Sequence, residues 1–489
     1  MQLSDSEANH LLRSGYRLSE SQAQAYRTHL ASTTKKCPER SLYQALLSPI
    51  RRLPPELLSR IFVLTDSTAV VAPRKCESEA MVIASVCAYW HTISMHTSEM
   101  WGNILLKITS GVYPRDILTF FELHLERARL FTVALGLEGC EDIEEWRSYF
   151  QNAVKNMVGP STTQERLLKV MMQHADRIQS FCIGCSGSVD DVLTEELLLP
   201  FLNHYVPHFR SLENLEFIIF TLRPVAHLLD PFSSFSGLKR IHLSHIDVPD
   251  DLALATLFPF ENLTSLEVSW TSTAVAAMLL QRCPNLTTAS FGIACLPSSQ
   301  SKDTLVLQHL QSLTISLDDD EWSPEILGLS IFIASLKLSS LRQFTLLGVE
   351  DPSDNHPFPK SFIPSITHLL TNVEVFHIER VDVDLASLLA GMLRLRELVI
   401  GGTGETISVG FLRKVKRLKA MRLLLSGDLW TKEHTNALAE SGIQSLYIEL
   451  NSEKVDLDVS AFGGIPAARV VQKQSNGEMK VLMGYDIVV

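Results

Sequence analysis

The sequence lacks the features that mark membrane and secreted proteins. No apolar run approaches the roughly 18 residues that a membrane-spanning helix needs. The first ten residues, MQLSDSEANH, are polar and contain no apolar segment of the signal-peptide type. The 8 cysteines are scattered and form no dense framework, so we expect reduced thiols in a cytoplasmic or nuclear protein. We therefore expect no membrane partner.

Positive charge is also scarce. The chain has 43 Lys and Arg against 55 Asp and Glu, a net charge of −12. Residues 1–110 hold 12 basic and 9 acidic residues, a balance of +3, which leaves 31 basic and 46 acidic residues, a balance of −15, to residues 111–489. An acidic region of this size does not attract phosphate backbones, so we expect no nucleic-acid partner.

Leucine, by contrast, is abundant. It occupies 74 of the 489 positions, about 15% of the chain. The balance of 46% hydrophobic and 20% charged residues is that of an ordinary globular protein. At about 100–200 residues per domain the chain is too long for one compact core, so two to four units or a repeat array are expected.

A repeated string accounts for the leucine. From about residue 125 the pattern L-x-x-L-x-L, with other apolar residues in place of some leucines, occurs twelve times. Most spacings between copies fall within the leucine-rich-repeat period of about 20–29 residues. The copies, given by their three apolar positions, are 130/133/135, 178/181/183, 212/215/217, 238/241/243, 263/266/268, 286/289/291, 310/313/315, 341/344/346, 373/376/378, 395/398/400, 418/421/423 and 443/446/448.

Each copy predicts a short strand that buries the second and third apolar positions, followed by a helix that covers it. The segments 273–281, 384–393 and 432–440 have helical composition. Stacked units predict an α/β horseshoe over residues 109–466, with parallel strands on the concave face and helices on the convex face. Residues 467–489 contain Asn476-Gly477 between two apolar segments, which predicts a hairpin that caps the last repeat.

The region before the repeats predicts helices. Residues 1–48 form a helical segment, with helices expected over 19–30 and 41–47. Residues 49–108 form a second, all-helical domain. Its first helix follows Pro54 and Pro55 and places Leu57, Leu58, Ile61 and Phe62 on one face. A second helix carries an apolar face at positions 83, 86, 87, 90 and 93.

Three strings in this domain carry a family resemblance. LPPELLSRIF, VCAYWHTI and MWGNILL follow one another between Pro49 and Leu106. Together they resemble the F-box proteins, most closely those common in fungi. The polar string from Ala72 to Ser78 departs from the family pattern, because it lacks the Asp-Leu pair often found there.

The resemblance implies a function. F-box proteins bind the Skp-type adaptor of cullin–RING ubiquitin ligases and present a substrate captured by the region behind the box. The adaptor-binding positions that it implies here are Leu53, Pro54, Glu56, Leu57, Ile61, Phe62, Val86, Cys87 and Trp90. The alternative for Leu57, Ile61 and Phe62 is that they fill the core of the small domain itself.

The concave face is the expected binding surface for a protein substrate. Its predicted side chains are Glu216, Arg240, His242, Glu267, His377, Glu379, Arg422, Tyr447 and Glu449, with Trp270 at the sheet edge. A solvated polar face without a partner is the alternative for each of them. The prediction is thus a substrate-recognition subunit of an SCF-type ubiquitin ligase, and its alternative is an interaction scaffold outside any ligase.

No motif supports an enzyme, a metal or a cofactor. Cys182-x-x-Cys185 lacks the second cysteine pair of a zinc site. The string 401–406, GGTGET, lacks the lysine of a phosphate loop, and 184–188 lacks the second glycine of a nucleophile elbow. The histidine pairs 204/208 and 242/245 have no metal-binding carboxylate arrangement, and the acidic run 318–321 fits a solvated loop. We therefore expect no catalytic activity and no cofactor.

Overall fold

The structure of the protein is a computed structural model. It describes residues 5–16, 18–32, 39–65, 68–108, 112–137, 162–188, 198–221, 229–233, 235–246, 260–294, 304–317, 326–348, 362–381, 385–403, 409–414, 418–426, 432–450, 462, 465–473 and 479–484. The acidic run 318–321 and the hairpin turn around Asn476-Gly477 lie outside these residues.

The chain divides into two compact units. The amino-terminal unit is Met1–Phe220 and the carboxy-terminal unit is Thr221–Val489. The predicted boundaries at residues 48 and 108 both lie inside the first unit. Each unit is α/β, with mostly parallel strands and helices between them, an arrangement compatible with a repeat solenoid.

Helices open the amino-terminal unit, as predicted. They are α1 (Asp5–Ser14), α2 (Glu20–Ser32) and α3 (Glu39–Leu46). A 3-10 turn over Pro49–Arg52 then leads into α4 (Pro55–Leu64). The rings of Tyr26 and Tyr43 meet at 5.4 Å and are buried between α2 and α3, so these helices share a small core.

The prediction of an all-helical domain over residues 49–108 is wrong. This region contains strands β1 (Ala69–Ala72), β2 (Lys75–Glu77) and β3 (Asn103–Ile108). β1 pairs antiparallel with β2 and parallel with β3, so long-range pairing draws the apolar segment after α4 into the sheet. The single helix expected over 83–93 is two helices, α5 (Glu79–Ser85) and α6 (Ala88–His96), because Cys87 is extended.

The first repeats complete the amino-terminal unit. β3 is followed by β4 (Phe131–Leu137), β5 (Ile178–Ser188) and β6 (Asn214–Thr221), each parallel to the strand before it. The helices between them are α7 (Ile117–Arg127), α8 (Thr163–Gln173) and α9 (Leu199–Tyr205). The strands at positions 133, 181 and 215 thus lie where the repeat pattern predicts them.

Ten parallel strands follow one another in the carboxy-terminal unit. They are β7 (Arg240–Ile246), β8 (Ser265–Thr271), β9 (Thr288–Ile293), β11 (Ser312–Leu317), β13 (Gln343–Leu347), β14 (Val375–Glu379), β15 (Glu397–Thr403), β16 (Ala420–Ser426), β17 (Ser445–Leu450) and β18 (Ala467–Lys473). Two short strands, β10 (Leu305–Val306) and β12 (Leu336–Lys337), form a separate parallel pair.

Helices connect many of these strands. They are α10 (Thr273–Arg282), α11 (Ile326–Ser335), α12 (Phe362–Leu370), α13 (Leu385–Ala390), α14 (Val409–Lys414) and α15 (Lys432–Ala439). The predicted helices at 273–281, 384–393 and 432–440 are therefore confirmed. The prediction that a helix follows every strand is not met throughout. The described parts of the connections before β7 and β8 contain only the 3-10 turns Asp230–Phe232 and Phe260–Asn262.

The repeat pattern predicts the core correctly. The second and third apolar positions of all twelve copies are at most 4% exposed. In the carboxy-terminal unit they lie in register across neighbouring strands, for example Leu313 beside Phe344 and Phe344 beside Phe376. The rings of Phe344 and Phe376 stack with centroids 6.0 Å apart. Each strand therefore adds one layer to a continuous apolar core.

At the carboxy terminus the structure contains an antiparallel pair of strands in the region where the sequence predicts a hairpin. β18 pairs antiparallel with β19 (Met479–Gly484), and an irregularity lies between Val470 and Val471. β18 also pairs parallel with β17, which the sequence did not predict. The hairpin therefore extends the repeat sheet by one strand before it covers the edge, where unpaired backbone groups would otherwise be exposed.

Removing a core side chain from one strand tests this architecture. Leu313 is fully buried, and we expect Leu313→Ala to lower the free energy of unfolding by about 3 kcal/mol, because the neighbouring layers cannot collapse into the cavity. Thr314→Ala, one residue along on the opposite face, serves as the control and should change it by less than about 1 kcal/mol. Urea unfolding measures both. Equal effects of the two changes would contradict the assignment of faces.

Candidate functional site

Helix α4 divides its apolar residues between two directions. Pro55 occupies its first turn, where the missing N–H costs no hydrogen bond. Leu58 and Phe62 are buried. Leu57, Ile61 and Leu64 are exposed by 47%, 41% and 84% and follow the i, i+4, i+7 spacing of a single stripe. The predicted single face is thus two faces, one in the core and one in solvent.

Helix α5 presents a second set of exposed apolar side chains. Ser78 caps it by accepting a hydrogen bond from the Met81 backbone N–H. Met81, Val82 and Val86, at its start and end, are exposed by 40%, 65% and 52%. Both α4 and α5 pack on α6, which supports them from behind.

We use the name docking face for the exposed apolar side chains of α4 and α5 taken together: Leu57, Ile61, Val63, Leu64, Met81, Val82 and Val86. Seven of the sixteen large apolar side chains that are exposed in the described chain lie in this stretch of thirty residues. Exposed apolar side chains concentrated in this way make the stretch a candidate surface for association.

The other predicted adaptor-binding residues surround the docking face. Pro54 and Glu56 are exposed, and Leu53 and Trp90 are half-buried. Phe62 and Cys87 are buried, and the Phe62 and Trp90 rings meet at 4.8 Å. Phe62 and Cys87 therefore support the face from the core and are not on the surface of the free chain.

The polar string after α4 is an ordered hairpin. β1 and β2 turn at Arg74, which has a φ of 60° and donates its backbone N–H to the carbonyl of Val112. Ser78 lies 2.8 Å from Nε2 of the buried His124 on α7. Burial lowers the pKa of His124, so its ring stays neutral near pH 7. Only the fold brings these residues together.

The second candidate surface is the polar side of the repeat strands, which we call the sheet face. The predicted Glu216 lies on it in the amino-terminal unit, half-buried and opposite Cys182 of the neighbouring strand. The other nine predicted residues lie in the carboxy-terminal unit. Among them, His242 and Glu267 approach to 3.7 Å across β7 and β8, while Arg240 is exposed beside them.

An ionic cluster lies on the sheet face over β14 to β17. His377 Nε2 is 3.4 Å from Glu379, and the Nε of Arg380 is 3.5 Å from the same carboxylate. Arg422 lies 3.4 Å from Glu449 and stacks over the Tyr447 ring at 4.8 Å. The close approach of His377, with the nearby Arg380 and Arg422, lowers the pKa of Glu379 despite its partial burial.

Two residues at the ends of sheet-face strands have left-handed backbones. Trp270 has a φ of 58° where β8 loses register with β9, and its side chain is 43% exposed. Arg380 has a φ of 53° directly after β14, and a Cβ at Gly348 would overlap its carbonyl oxygen. Bulky residues rarely adopt this conformation, and such strain concentrates at functional sites. The sequence analysis predicts Trp270 as a residue of this surface and does not single out Arg380.

Small hydroxyl side chains separate the two charged regions. Glu267 on β8 is in register with Ser290, Thr314, Thr345 and finally His377 on β14. The middle of the sheet face is therefore uncharged and carries small side chains. The charged and aromatic side chains lie on either side of it.

The described residues contain no group of three or more His, Cys, Asp or Glu placed to hold a metal ion. Burial, with Glu216 nearby, raises the pKa of Cys182 to about 12, so the first thiol of the C-x-x-C string stays protonated. The described cysteines 76, 87, 182 and 283 are free. In the part of the chain that the structure covers, no helix is long and apolar enough to cross a membrane.

No protein-family model matches the chain, and no curated protein matches it. Among solved structures, it is similar to a chain of the Toll–Spatzle complex of Drosophila, with 13% identity and a TM-score of 0.31. That match covers 76% of this chain and only 50% of the other. A Bacteroides fragilis protein matches with 12% identity and a TM-score of 0.26, covering 62% of this chain and 67% of that one. Scores this low carry no argument.

The ionic cluster predicts a pH dependence of stability. Because the pKa of Glu379 is lowered in the folded chain, its contribution is present above its unfolded pKa and is lost as pH falls through the folded value. We expect Glu379→Gln to cost about 1 kcal/mol of unfolding free energy near pH 7, and we expect this cost to shrink as pH falls through the folded pKa of Glu379. Glu397→Gln, on the exposed start of β15, is the matched control for urea unfolding at each pH. A cost of Glu379→Gln that does not change with pH would contradict the cluster.

Proposed function

We propose that this protein is the substrate-recognition subunit of an SCF-type ubiquitin ligase. The docking face is the observation that supports the proposal. Its Leu57, Ile61 and Val86 occupy positions that the F-box resemblance assigns to adaptor contact, and all three are exposed apolar side chains. A Skp-type adaptor would cover them and, through a cullin, connect the chain to the ubiquitin-transfer machinery.

The proposed mechanism is proximity, without chemistry by this chain. The docking face holds the adaptor, and the leucine-rich-repeat sheet face holds a protein substrate. Bringing the substrate to a charged ubiquitin carrier replaces a bimolecular encounter with one at high effective concentration. The proposal places the protein in the cytoplasm, the nucleus or both.

The sheet face of the carboxy-terminal unit is the proposed substrate surface. Exposed Trp270 and the Arg422–Tyr447 stack are residue types that dominate protein interfaces. The neutral Ser and Thr positions between them leave room for a peptide backbone. A solvated polar face would not need a strained tryptophan at its edge.

An interaction scaffold outside any ligase is the second candidate. The same docking face would then bind an adaptor without a cullin, or another apolar partner. Affinity purification of the chain from cells distinguishes the two, because a co-purifying cullin supports the ligase and an adaptor without cullin supports the scaffold.

Truncation of the docking face tests adaptor binding. We expect Leu57→Ala and Ile61→Ala each to weaken binding of a purified Skp-type adaptor by about thirtyfold, the scale of a hot-spot loss of about 2 kcal/mol. Isothermal titration calorimetry measures the affinity. Both side chains are exposed, so the fold should survive the changes.

The control for this experiment is Leu393→Ala, which removes an equally large side chain that is 76% exposed in the other unit. It should leave adaptor affinity unchanged. A folded wild-type chain that binds no adaptor would overturn the ligase proposal.

Changes on the sheet face should separate substrate capture from adaptor binding. We expect Trp270→Ala with Arg422→Ala to leave adaptor affinity unchanged and to raise the cellular level of the bound substrates, because capture fails. Quantitative proteomics after replacement of the wild-type protein measures this, with Val306→Ala as an exposed control. Identical proteomes for the double variant and the wild type would place the substrate surface elsewhere.

A further inference from the structure

We propose that helix α1 braces the Leu53–Pro54 turn for adaptor docking, with Arg51 and Gly15 as the positioning residues. The inference rests on the proposed function, because Leu53 and Pro54 matter only if an adaptor contacts them. It adds the amino-terminal helices, which lie outside residues 49–108, to the elements that prepare the chain for adaptor binding.

Arg51 joins the 3-10 turn to the end of α1. Its Nη2 donates to the carbonyls of Leu11 at 2.9 Å and Tyr16 at 3.1 Å, and its Nη1 reaches the carbonyl of Leu12 at 3.4 Å. These carbonyls belong to the last turn of α1 and the residues after it, where the regular helical hydrogen bonds end. The Leu11 carbonyl also accepts from the Ser14 hydroxyl at 3.2 Å, and the Leu12 carbonyl from the Gly15 N–H at 3.4 Å. A cation at a helix carboxy terminus is also favoured by the helix dipole. One guanidinium therefore holds two elements that are about forty residues apart in sequence.

Gly15, directly after α1, allows a second close contact, between the end of α1 and helix α6. It has a φ of +70°, and a Cβ at this position would overlap the Cβ of Tyr89 on α6. Only glycine allows α1 to end this close to α6. The hydroxyl of Tyr89 in turn reaches the carbonyl of Leu53, at a long 3.5 Å.

The three contacts meet at the turn that leads into α4. Arg51 lies two residues before Leu53, and Tyr89 lies beside both Gly15 and Leu53. The Leu53 backbone N–H donates to Ile50 at 3.2 Å, which closes the 3-10 turn, and Leu58 donates to Pro54 at 3.1 Å, which opens α4. If the contacts of Arg51 and Gly15 are lost, the Leu53–Pro54 turn becomes more mobile. Helix α4 itself stays in place, because its Leu58 and Phe62 side chains remain buried.

The test compares Arg51→Met with Arg52→Met in the full chain. Both remove one positive charge, but Arg52 is exposed and has no described role in the junction. In Arg51→Met we expect the backbone amides at positions 51 and 53 to exchange hydrogen roughly tenfold faster. This factor is the scale of one lost hydrogen bond to a charged group. Adaptor affinity should fall by a similar factor while the unfolding midpoint is nearly unchanged. Arg51→Lys, which restores the charge without the two-pronged geometry, should recover part of both effects.

If Arg51→Met shows the same hydrogen exchange and the same adaptor affinity as the wild type, the proposed role of α1 and Arg51 is wrong. If Arg51→Met lowers the unfolding midpoint, Gly15→Ala decides instead, because it displaces α1 from Tyr89 and leaves Arg51 in place. Equal behaviour of Gly15→Ala and the wild type would again overturn the inference. A wild-type chain that binds no adaptor contradicts the proposed function, and the exchange experiment still decides whether α1 holds the turn.

Discussion

The stacking of buried apolar side chains between neighbouring parallel strands is the interaction on which the rest of the structure depends. Each strand contributes two residues to the core, and the register places them directly beside those of the next strand, as with Leu313 and Phe344. Because stability comes mainly from this inner face, the outer face of the same strands is freer to carry polar and charged side chains. The sheet face can therefore carry a strained Trp270 and an ionic cluster without disturbing the core.

The same division operates in the amino-terminal helices. Leu58 and Phe62 hold α4 in place, which allows Leu57 and Ile61 to remain exposed. An apolar stripe in solvent carries a solubility cost that a monomeric protein ordinarily avoids. This cost is explained if a partner covers the docking face, and the contacts of Arg51 and Gly15 explain how the entrance to α4 is kept in one conformation.

The spacing of apolar residues was sufficient to predict all twelve repeat strands, because this signal is local. The strands β1 and β2 were missed, since the apolar run of β1 is only four residues long and the three residues of β2 are mostly polar, which leaves no clear local signal. The pairing of Val70 with Leu105 decides their structure. The break between α5 and α6 was missed for a similar reason, because helical spacing at 83, 86 and 90 continues across the extended Cys87.

The sequence alone determined the repeat architecture, the inward-facing residues and the position of the apolar helix that precedes the repeats, because each depends on periods of two or about 3.6 residues. Only the tertiary structure decided which half of the α4 residues faces solvent and that Glu379 is shared by His377 and Arg380. It also placed Gly15 and Arg51 at one junction. These features depend on how side chains and elements pack in three dimensions, which a linear pattern does not encode.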